Sequence, residues 1–296
     1  MCMVKNAFPV YDIGALSGFK QEDIMISRFS PYLKVHKNLH SAHRHNFYHL
    51  VLFTEGAGSH TIDFEYFEVK PGQIYFMVPG QVHSWNFKGH TDGYVINFSV
   101  SFINTLILKP DYLAQFIFFT GQAANSVINI PAKDRNEVKK VMEQLLFESE
   151  NHAYMGADMV RPLLVQLFIM VGRMGEKQPN KTITPYNFTL LKNFQKLIED
   201  NYTRLKLPKD YAGLLYITPN HLNALCADIL GLSAGELIRN RVILEAKRLL
   251  INLDLGIREV GYRLNFADNS YFTKFFKKYT GLTPEEFRKK QINHAL

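Results

Sequence analysis

Cysteine and long apolar stretches are scarce in this 296-residue chain, and each scarcity excludes a class of protein. The two cysteines, Cys2 and Cys226, are too few and too far apart for a disulfide framework or a zinc cluster. The longest apolar stretch, residues 163–172, is interrupted by Gln166 and is shorter than the roughly 18–20 residues that span a bilayer. The first residues lack the charged and then apolar pattern of a secretion signal. We therefore expect a cytoplasmic protein with no membrane partner.

Acidic residues are outnumbered mainly in the last third of the chain. The net charge is +7, and 47% of the residues are hydrophobic, as is usual for a globular protein. From residue 187 to the end, 17 lysines and arginines stand against 11 acidic residues, whereas the first 186 residues hold 17 and 16. Clustered basic charge is typical of a module that binds phosphates, although a solvated basic surface without a partner gives the same count.

The pattern along the chain predicts two domains of different class. Residues 43–99 alternate between apolar and polar positions with turn residues between the alternating segments, which indicates antiparallel strands. Residues 134–151 and 158–174 carry apolar residues at helical spacing, which predicts two amphipathic helices that cover the strands or pair two chains. Residues 175–186 are polar and have no periodicity. The prediction is an α+β chain with an N-terminal domain over 1–174, a linker over 175–186 and an all-α domain over 187–296.

An internal repeat with an offset of 50 residues lies within the all-α domain. Residues 221–233 match residues 271–283 in their apolar positions, and each copy ends at a glycine, Gly231 or Gly281. Each copy opens with a capping residue, Thr218 in the first and Asp268 in the second. A short amphipathic segment and a tight turn precede the second repeated helix. A short helix, a turn and a polar-faced second helix form a helix-turn-helix unit, so we predict two such units.

The repeated helix of the second copy has one apolar and one polar face. Phe272, Phe275, Phe276 and Tyr279 fall together and are expected to be buried. Short polar and basic groups lie opposite, as a helix in a major groove requires, because amides and hydroxyls pair with base edges and lysines with guanine or phosphate. Any surface helix with an aromatic anchor looks similar, and it is the duplication in a basic domain that favours DNA binding. The candidate DNA-binding residues are Asn220, His221, Asn223, Asn269, Ser270, Thr273, Lys274 and Lys277.

The second copy closes with a specific run of aromatic, acidic and basic residues. Residues 266–272 read Phe-Ala-Asp-Asn-Ser-Tyr-Phe, followed by Phe275-Phe276-Lys277-Lys278, Gly281, Thr283-Pro284 and Phe287-Arg288. With this run, residues 207–288 resemble the DNA-binding domain of the AraC/XylS family of bacterial transcription regulators. The resemblance implies double-stranded DNA read in adjacent major grooves, and a small-molecule effector bound by a separate N-terminal domain. RNA polymerase is a further expected partner, and the helices over 134–174 are the candidates for a homodimer interface; activation is the expected outcome, with repression left open.

The first copy departs from that family pattern. Ala224, Cys226, Ala227 and Asp228 stand where the family has basic and aromatic residues, so the outward face of this helix lacks positive charge. We therefore expect the second unit to supply more of the phosphate affinity, while the asparagines of the first unit still read bases. Asn265 stands where the family commonly places a turn glycine, and asparagine accepts a left-handed backbone better than most residues.

Histidines are concentrated in the strand-rich half. His43, His45 and His49 fall on one face of an extended segment, because side chains alternate along a strand. A later group of residues follows these histidines at a characteristic spacing: Gly56, Gly72, Pro79, Gly80 and His83. Together they resemble the two sequence motifs of cupins, which implies a cupin-like β-barrel. In metal-binding cupins the position of His49 usually holds glutamate.

The histidines leave two alternatives open for the barrel interior. Four imidazoles, from His43, His45, His49 and His83, would suit a zinc, copper, nickel or iron ion. The favoured interpretation has no metal and no cofactor, and the interior surrounds a small effector with a few polar groups. The candidate effector-binding residues are His43, His45, His49, His83, Trp85 and Tyr75.

We predict a sequence-specific DNA-binding transcription regulator that responds to a small-molecule effector and has no catalytic residues. The alternative is a metal-dependent cupin enzyme, an oxygenase or isomerase, with a DNA-binding appendage; stoichiometric iron or nickel and turnover of a substrate would favour it. A DNA-repair sensor with a reactive cysteine is disfavoured because Cys226 falls on the buried side of its helix.

Overall fold

The computed structural model describes residues 9–13, 23–36, 42–104, 112–150, 154–175 and 184–295. The chain divides into an N-terminal and a C-terminal unit at a boundary between residues 177 and 178. The predicted linker over 175–186 lies mostly outside the described residues, so the predicted domain limits stay a prediction. None of the described helices is long and apolar enough to cross a bilayer.

Ten described strands of the N-terminal unit form two five-stranded sheets. The strands are β1 (Val10–Tyr11), β2 (Ile24–Arg28), β3 (His43–His45), β4 (Tyr48–Glu55), β5 (Gly58–Ile62), β6 (Glu65–Glu68), β7 (Gln73–Met77), β8 (Val82–Phe87), β9 (Asp92–Phe98) and β10 (Val127–Asn129). The first sheet has the order β1-β3-β8-β5-β6 and the second the order β10-β7-β4-β9-β2. Only β1 and β3 pair in parallel. The predicted β-rich class is confirmed, but the described strands make a sandwich of two sheets, since no ladder joins their edges into a closed barrel.

Strand β4 shows how the sequence builds three layers. His49, Val51 and Phe53 point toward the first sheet and are buried between the two sheets. Leu50 and Leu52, on the other face, are buried against helices. Because successive side chains of a strand point to opposite faces, the continuous apolar run at residues 50–53 is buried on both sides. The second sheet is therefore the central layer of this unit.

The described α-helices of the N-terminal unit are α1 (Phe29–Val35), α2 (Val100–Asn104), α3 (Arg135–Glu150) and α4 (Gly156–Gly175). The helices predicted over 134–151 and 158–174 are confirmed as α3 and α4, within two residues at each end. Their apolar residues, among them Val138, Leu145, Leu164 and Phe168, pack on the outer face of the second sheet. Covering the sheet is thus one role of these helices, and pairing of two chains stays a prediction.

Seven helices make up the described part of the C-terminal unit. They are α5 (Pro185–Asn201), α6 (Pro208–Leu214), α7 (Pro219–Leu230), α8 (Ala234–Leu250), α9 (Ile257–Arg263), α10 (Asn269–Thr280) and α11 (Pro284–Ala295). Helices α6 and α7 form the first predicted helix-turn-helix unit, α9 and α10 form the second, and α8 connects them. Phe194, Tyr211, Leu222 and Ile238 form part of a core that joins α5 to the first unit.

The two units repeat the same local hydrogen bonds. Thr218 accepts a hydrogen bond from the backbone N–H of His221, and Asp268 accepts one from that of Tyr271, so both repeated helices are capped as predicted. Both helices end at a glycine in the left-handed conformation. The glutamate shared by the two copies caps the following helix, since Glu236 bonds to Ser233 and Glu286 to Thr283 in the same way.

The turn inside each helix-turn-helix unit also has a left-handed residue. Asn265 has φ 58°, which agrees with the expectation that it takes the conformation of a turn glycine. In the first unit the corresponding residue is Tyr216, with φ 55°. The residue after each bonds back to the preceding helix, from Ile217 N–H to Ala212 O at 3.0 Å and from Phe266 N–H to Gly261 O at 2.9 Å.

Candidate DNA-reading helices and histidine cluster

The exposed faces of α7 and α10 match position by position. Asn220 and His221 of α7 are exposed, as are Ser270, Lys274 and Lys277 of α10. Ala224 and Ala227 occupy the positions in α7 that the two lysines occupy in α10, and both alanines are exposed too. Residues at spacings of three and four lie on one side of a helix, so each helix presents a continuous surface. Equivalent positions are therefore exposed on the two helices, but they carry different chemical groups.

Three of the candidate DNA-binding residues are only half-exposed. Asn269 and Thr273 lie at the edge of the polar face of α10, and Asn223 lies at the edge of that of α7. The side-chain oxygen of Asn223 accepts a hydrogen bond from the backbone N–H of Ala234 at 3.1 Å. Asn223 therefore ties α7 to the first turn of α8, and in this arrangement its NH2 group is the part left to meet a base.

The aromatic face of α10 is buried at its centre and open at its end. Phe272 and Phe276 are fully buried, and Phe275 packs against Phe266 with ring centres 5.1 Å apart. Tyr279, which the helical pattern placed on this buried face, is 42% exposed, so that expectation was wrong. It lies in the last turn of α10, beyond the core, where the Arg239 guanidinium is 5.1 Å from its ring centre.

Two arginines of the C-terminal unit form hydrogen bonds within the fold. Arg241 bonds to Glu199 at 2.7 Å and to Glu245 at 3.0 Å, and these carboxylates hold its pKa above the usual range despite burial. Arg288, the last residue of the family-like run, donates to the carbonyl oxygens of Leu250 and Leu255 at 2.7 and 2.6 Å. It closes the C-terminal end of α8, so its role is structural.

Five histidines meet between the two sheets of the N-terminal unit. The Nε2 atoms of His45 and His83 are 2.8 Å apart, and His83 Nδ1 is 3.1 Å from His60 Nε2. The ring of His43 lies 4.2 Å from that of His83, its neighbour across the β3–β8 ladder. A neutral imidazole donates through one nitrogen and accepts through the other. If His83 donates to His45 it must therefore accept from His60, and the reverse holds for the other tautomer. Three of the four predicted imidazoles, His43, His45 and His83, are thus brought together.

Sequence reasoning missed one member of this histidine cluster and overestimated another. His60 on β5 lies opposite Trp85 on β8 and is fully buried, although no motif includes it. Alternation could have indicated its burial, because His60 and Ile62 share one face of a strand, but not its place beside His83. His49 is buried beside the cluster, but its Nδ1 bonds to Asn97 Oδ1 at 2.5 Å. The nitrogens within ligand distance of one another are those of His43, His45 and His83, all within 4.8 Å.

Burial keeps four histidines of the cluster neutral. It lowers the pKa of His45, His60 and His83 well below the usual value, and neighbouring histidines lower each further. For His49, burial lowers the pKa to about 3, although the bond to Asn97 opposes that shift. Rings that would repel one another if charged therefore face each other as neutral donors and acceptors.

The other two candidate effector residues lie against the histidine cluster. The indole of Trp85 is 5.0 Å from the ring of His83, and the ring of Tyr75 is 4.8 Å from that of His60. The Tyr75 hydroxyl donates to Gln73 Oε1 at 3.0 Å. Several buried nitrogens have no hydrogen-bond partner among the described residues: His45 Nδ1, His49 Nε2 and His60 Nδ1 in the cluster, and Trp85 Nε1 beside it. Such nitrogens are costly to leave unpaired, and they mark where a polar ligand would be stabilised.

Both halves of the chain match known families. Residues 211–290 match the family model of a helix-turn-helix domain, and residues 33–153 match that of an AraC-like ligand binding domain. The chain belongs to the AraC family. This AraC-family protein is a DNA-binding transcription regulator that pairs a ligand-binding domain with a helix-turn-helix domain.

Similar proteins include two transcription regulators of Escherichia coli K12. The chain is 27% identical to the HTH-type transcriptional regulator YpdC over 188 residues, which are 62% of this chain and 65% of the relative. It is 21% identical to the HTH-type transcriptional activator RhaR over 255 residues, which are 85% of this chain and 88% of the relative. A crystal structure of ToxT from Vibrio cholerae aligns at 14% identity and TM-score 0.43, covering 90% of this chain and 98% of ToxT.

Proposed function

We propose that this regulator reads operator DNA with the exposed faces of α7 and α10 and alters transcription when a small molecule enters the histidine cluster. The observation that carries the proposal is the repeated surface. Both helices have the same caps, the same glycine ends and the same exposed positions, within a unit that has a basic excess. Two equivalent polar faces on one helical scaffold are suited to two successive major grooves of one DNA segment.

Helix α10 is proposed to supply most of the attraction to DNA. Lys274 and Lys277 are exposed one turn apart on its outward face, and Ser270 precedes them on the same side. Lysine pairs with guanine acceptors or with phosphate, and the hydroxyl of serine pairs with several base edges. Asn269 lies in the first turn of the helix, where a side chain in the groove reaches base edges. Lys278 is exposed at the side of the helix and is assigned a phosphate contact.

The effector is proposed to be an uncharged polar molecule. The rings of His45, His60 and His83 are neutral, and between them they offer both donors and acceptors. Ring centres of neighbouring histidines lie 4.2 to 5.4 Å apart and leave little free space, so a ligand must displace side chains to enter. That displacement is what couples occupancy to the population of DNA-binding states, since a ligand shifts an equilibrium only by its different affinity for the two states.

A transition metal ion is the second candidate occupant, because His43, His45 and His83 converge as three imidazole ligands. His60 would then hold the second ring nitrogen of His83, as residues behind a metal ligand commonly do. The relatives named above are regulators, so we propose binding, not an enzyme reaction, in either case. Fluorescence of Trp85, the single tryptophan, reports both occupants, and a chelator separates them by reversing only a metal signal.

Homodimerisation is proposed to involve the end of the α3–α4 pair. Phe147 on α3 is 60% exposed; Tyr154 and Met155, just before α4, are 95% and 58% exposed, and Met159 in the first turn of α4 is 52% exposed. Large exposed apolar side chains commonly mark a protein interface. RNA polymerase as a partner, activation and a cytoplasmic location complete the proposal, and they draw on the activator RhaR as a relative.

The DNA proposal is tested by binding titrations of the full chain with a selected site and a scrambled site. Lys274→Ala should weaken specific binding by about 1–3 kcal/mol and leave scrambled-site binding nearly unchanged. Lys278→Ala should weaken both and reduce the salt slope by about 1. Lys139→Ala, an exposed lysine of α3, is the matched control for lost charge and should change neither. Equal effects of all three variants would contradict the assignment.

A further inference from the structure

The exposed face of α7 offers methyl groups where that of α10 offers ammonium groups. Asn220, Ala224 and Ala227 lie at spacings of four and three, so they share one side of the helix, and each is exposed. The equivalent residues of α10 are Ser270, Lys274 and Lys277, at the repeat offset of 50. Caps and helix ends coincide at the same offset, so equivalent residues have equivalent places on the two surfaces.

Few polar groups of α7 remain for guanine or phosphate. The Asn223 side-chain oxygen is engaged by the N–H of Ala234 at 3.1 Å, and the next exposed position, Asp228, is acidic where α10 has Lys278. A carboxylate adds no attraction to phosphate. The affinity of the α7 surface must therefore come from base contacts made by its amide, its imidazole and its two methyl groups.

Major-groove chemistry then selects one kind of base pair. The thymine C5 methyl is the apolar group that base pairs present in the major groove, and alanine side chains pack on it. Asparagine bonds in bidentate fashion to N6 and N7 of adenine, so Asn220 favours the same A·T pairs. Lysine favours O6 and N7 of guanine, so Lys274 favours G·C pairs at the corresponding place in the second groove.

We infer that the operator of this protein is asymmetric in composition: α7 reads an A·T-rich half-site in which Ala224 and Ala227 pack on thymine methyl groups, and α10 reads a half-site that contains guanine. This inference rests on the proposed DNA-binding function and specifies its DNA sequence class. Each alanine–thymine contact buries about one methyl group, which is equivalent to a roughly three- to fourfold change in affinity.

The test begins with selection of a binding site from random duplexes by the full chain. A guanine at which 7-deazaguanine weakens binding of the unsubstituted protein, but not of Lys274→Ala, marks the α10 half-site, and the other half-site belongs to α7. Deoxyuridine then replaces each thymine of the α7 half-site in turn, which removes the methyl group and keeps base pairing. We expect roughly three- to fourfold weaker binding at two thymines and little change at thymines elsewhere.

Substitution of the alanines assigns the contact. In Ala224→Gly and Ala227→Gly, deoxyuridine and thymine should bind equally at one position each, while Lys274→Ala should keep the full sensitivity to the methyl groups. Ala227→Ser retains helix stability and checks the same loss if a glycine variant unfolds. A G·C-rich α7 half-site, equal binding of uracil and thymine sites by the unsubstituted protein, or unchanged sensitivity in all alanine variants would each overturn the inference. Failure to select any sequence would instead overturn the proposed function.

Discussion

Acidification should unfold the N-terminal unit because its buried histidines do not accept protons while folded. Burial lowers the pKa of His45, His60 and His83 well below the usual value and that of His49 to about 3. In the unfolded chain the same side chains titrate near the ordinary value of about 6.5. The unfolded state therefore binds more protons between pH 6.5 and about 3, and the free energy of unfolding falls as pH is lowered through that window.

The expected magnitude follows from the number of rings. Each histidine that stays neutral in the fold loses about 1.4 kcal/mol of stability per pH unit below about 6.5, and almost nothing above it. Between pH 7.5 and pH 5.5 the four rings together should lower the free energy of unfolding by about 5–6 kcal/mol. Single domains are commonly stable by about 5–15 kcal/mol, so this loss is enough to bring the unit close to its unfolding midpoint.

Urea unfolding monitored by Trp85 fluorescence measures this loss where it arises, since the indole is 3% exposed and lies 5.0 Å from the ring of His83. His60→Gln should reduce the difference between pH 7.5 and pH 5.5 by about 1.4 kcal/mol, even if it destabilises the protein at both pH values. His221→Gln, on the exposed face of α7, removes a histidine outside the cluster and serves as control. Equal stability at the two pH values, or greater stability at pH 5.5, would refute the reasoning.

Three further predictions concern the C-terminal unit and can be measured by thermal unfolding with DNA titration. Asn223→Ala should cost about 1 kcal/mol, because the N–H of Ala234 loses its partner in the first turn of α8; no change in stability would show that the bond is not formed in solution. Arg241→Met should destabilise by about 1–2 kcal/mol, because the mostly buried Glu245 loses its nearer partner and the exposed Glu199 loses one that solvent screens, while the folded fraction binds DNA normally. Tyr216→Gly should stabilise by up to about 1 kcal/mol, because the ring is 96% exposed and its backbone is left-handed; destabilisation would indicate a contact of the ring.

The helices and their ends could be predicted because their determinants are local. The spacing of apolar residues placed α3 and α4 to within two residues, and the capping residues Thr218 and Asp268 marked the starts of α7 and α10. The periodicity wrongly predicted that Tyr279 is buried. A helical wheel gives the direction of a side chain, whereas burial depends on how far the neighbouring core extends along the helix.

The membership of the histidine cluster could be predicted only in part, because it depends on pairings between distant strands. Alternation placed His43 and His45 on one face, but it could not show that β5 brings His60 to His83 or that β9 brings Asn97 to His49. Asn223 illustrates the same limit within the helical unit. Its polarity and position suited a base contact, and its oxygen is instead engaged by a backbone group eleven residues later.

The two repeated helices separate the residues that build the scaffold from those that face outward. The caps, the terminal glycines and the buried apolar positions agree between the copies, whereas Ala224 and Ala227 differ completely from Lys274 and Lys277. A cap contributes about 1 kcal/mol to stability, and an exposed helix residue contributes little, yet an exposed residue in a groove changes discrimination between bases by about 1–3 kcal/mol. Outward positions can thus diverge without cost to the fold. The shared caps and buried positions therefore give both repeats the same helix-turn-helix fold. The DNA preference of each helix depends instead on its own exposed side chains.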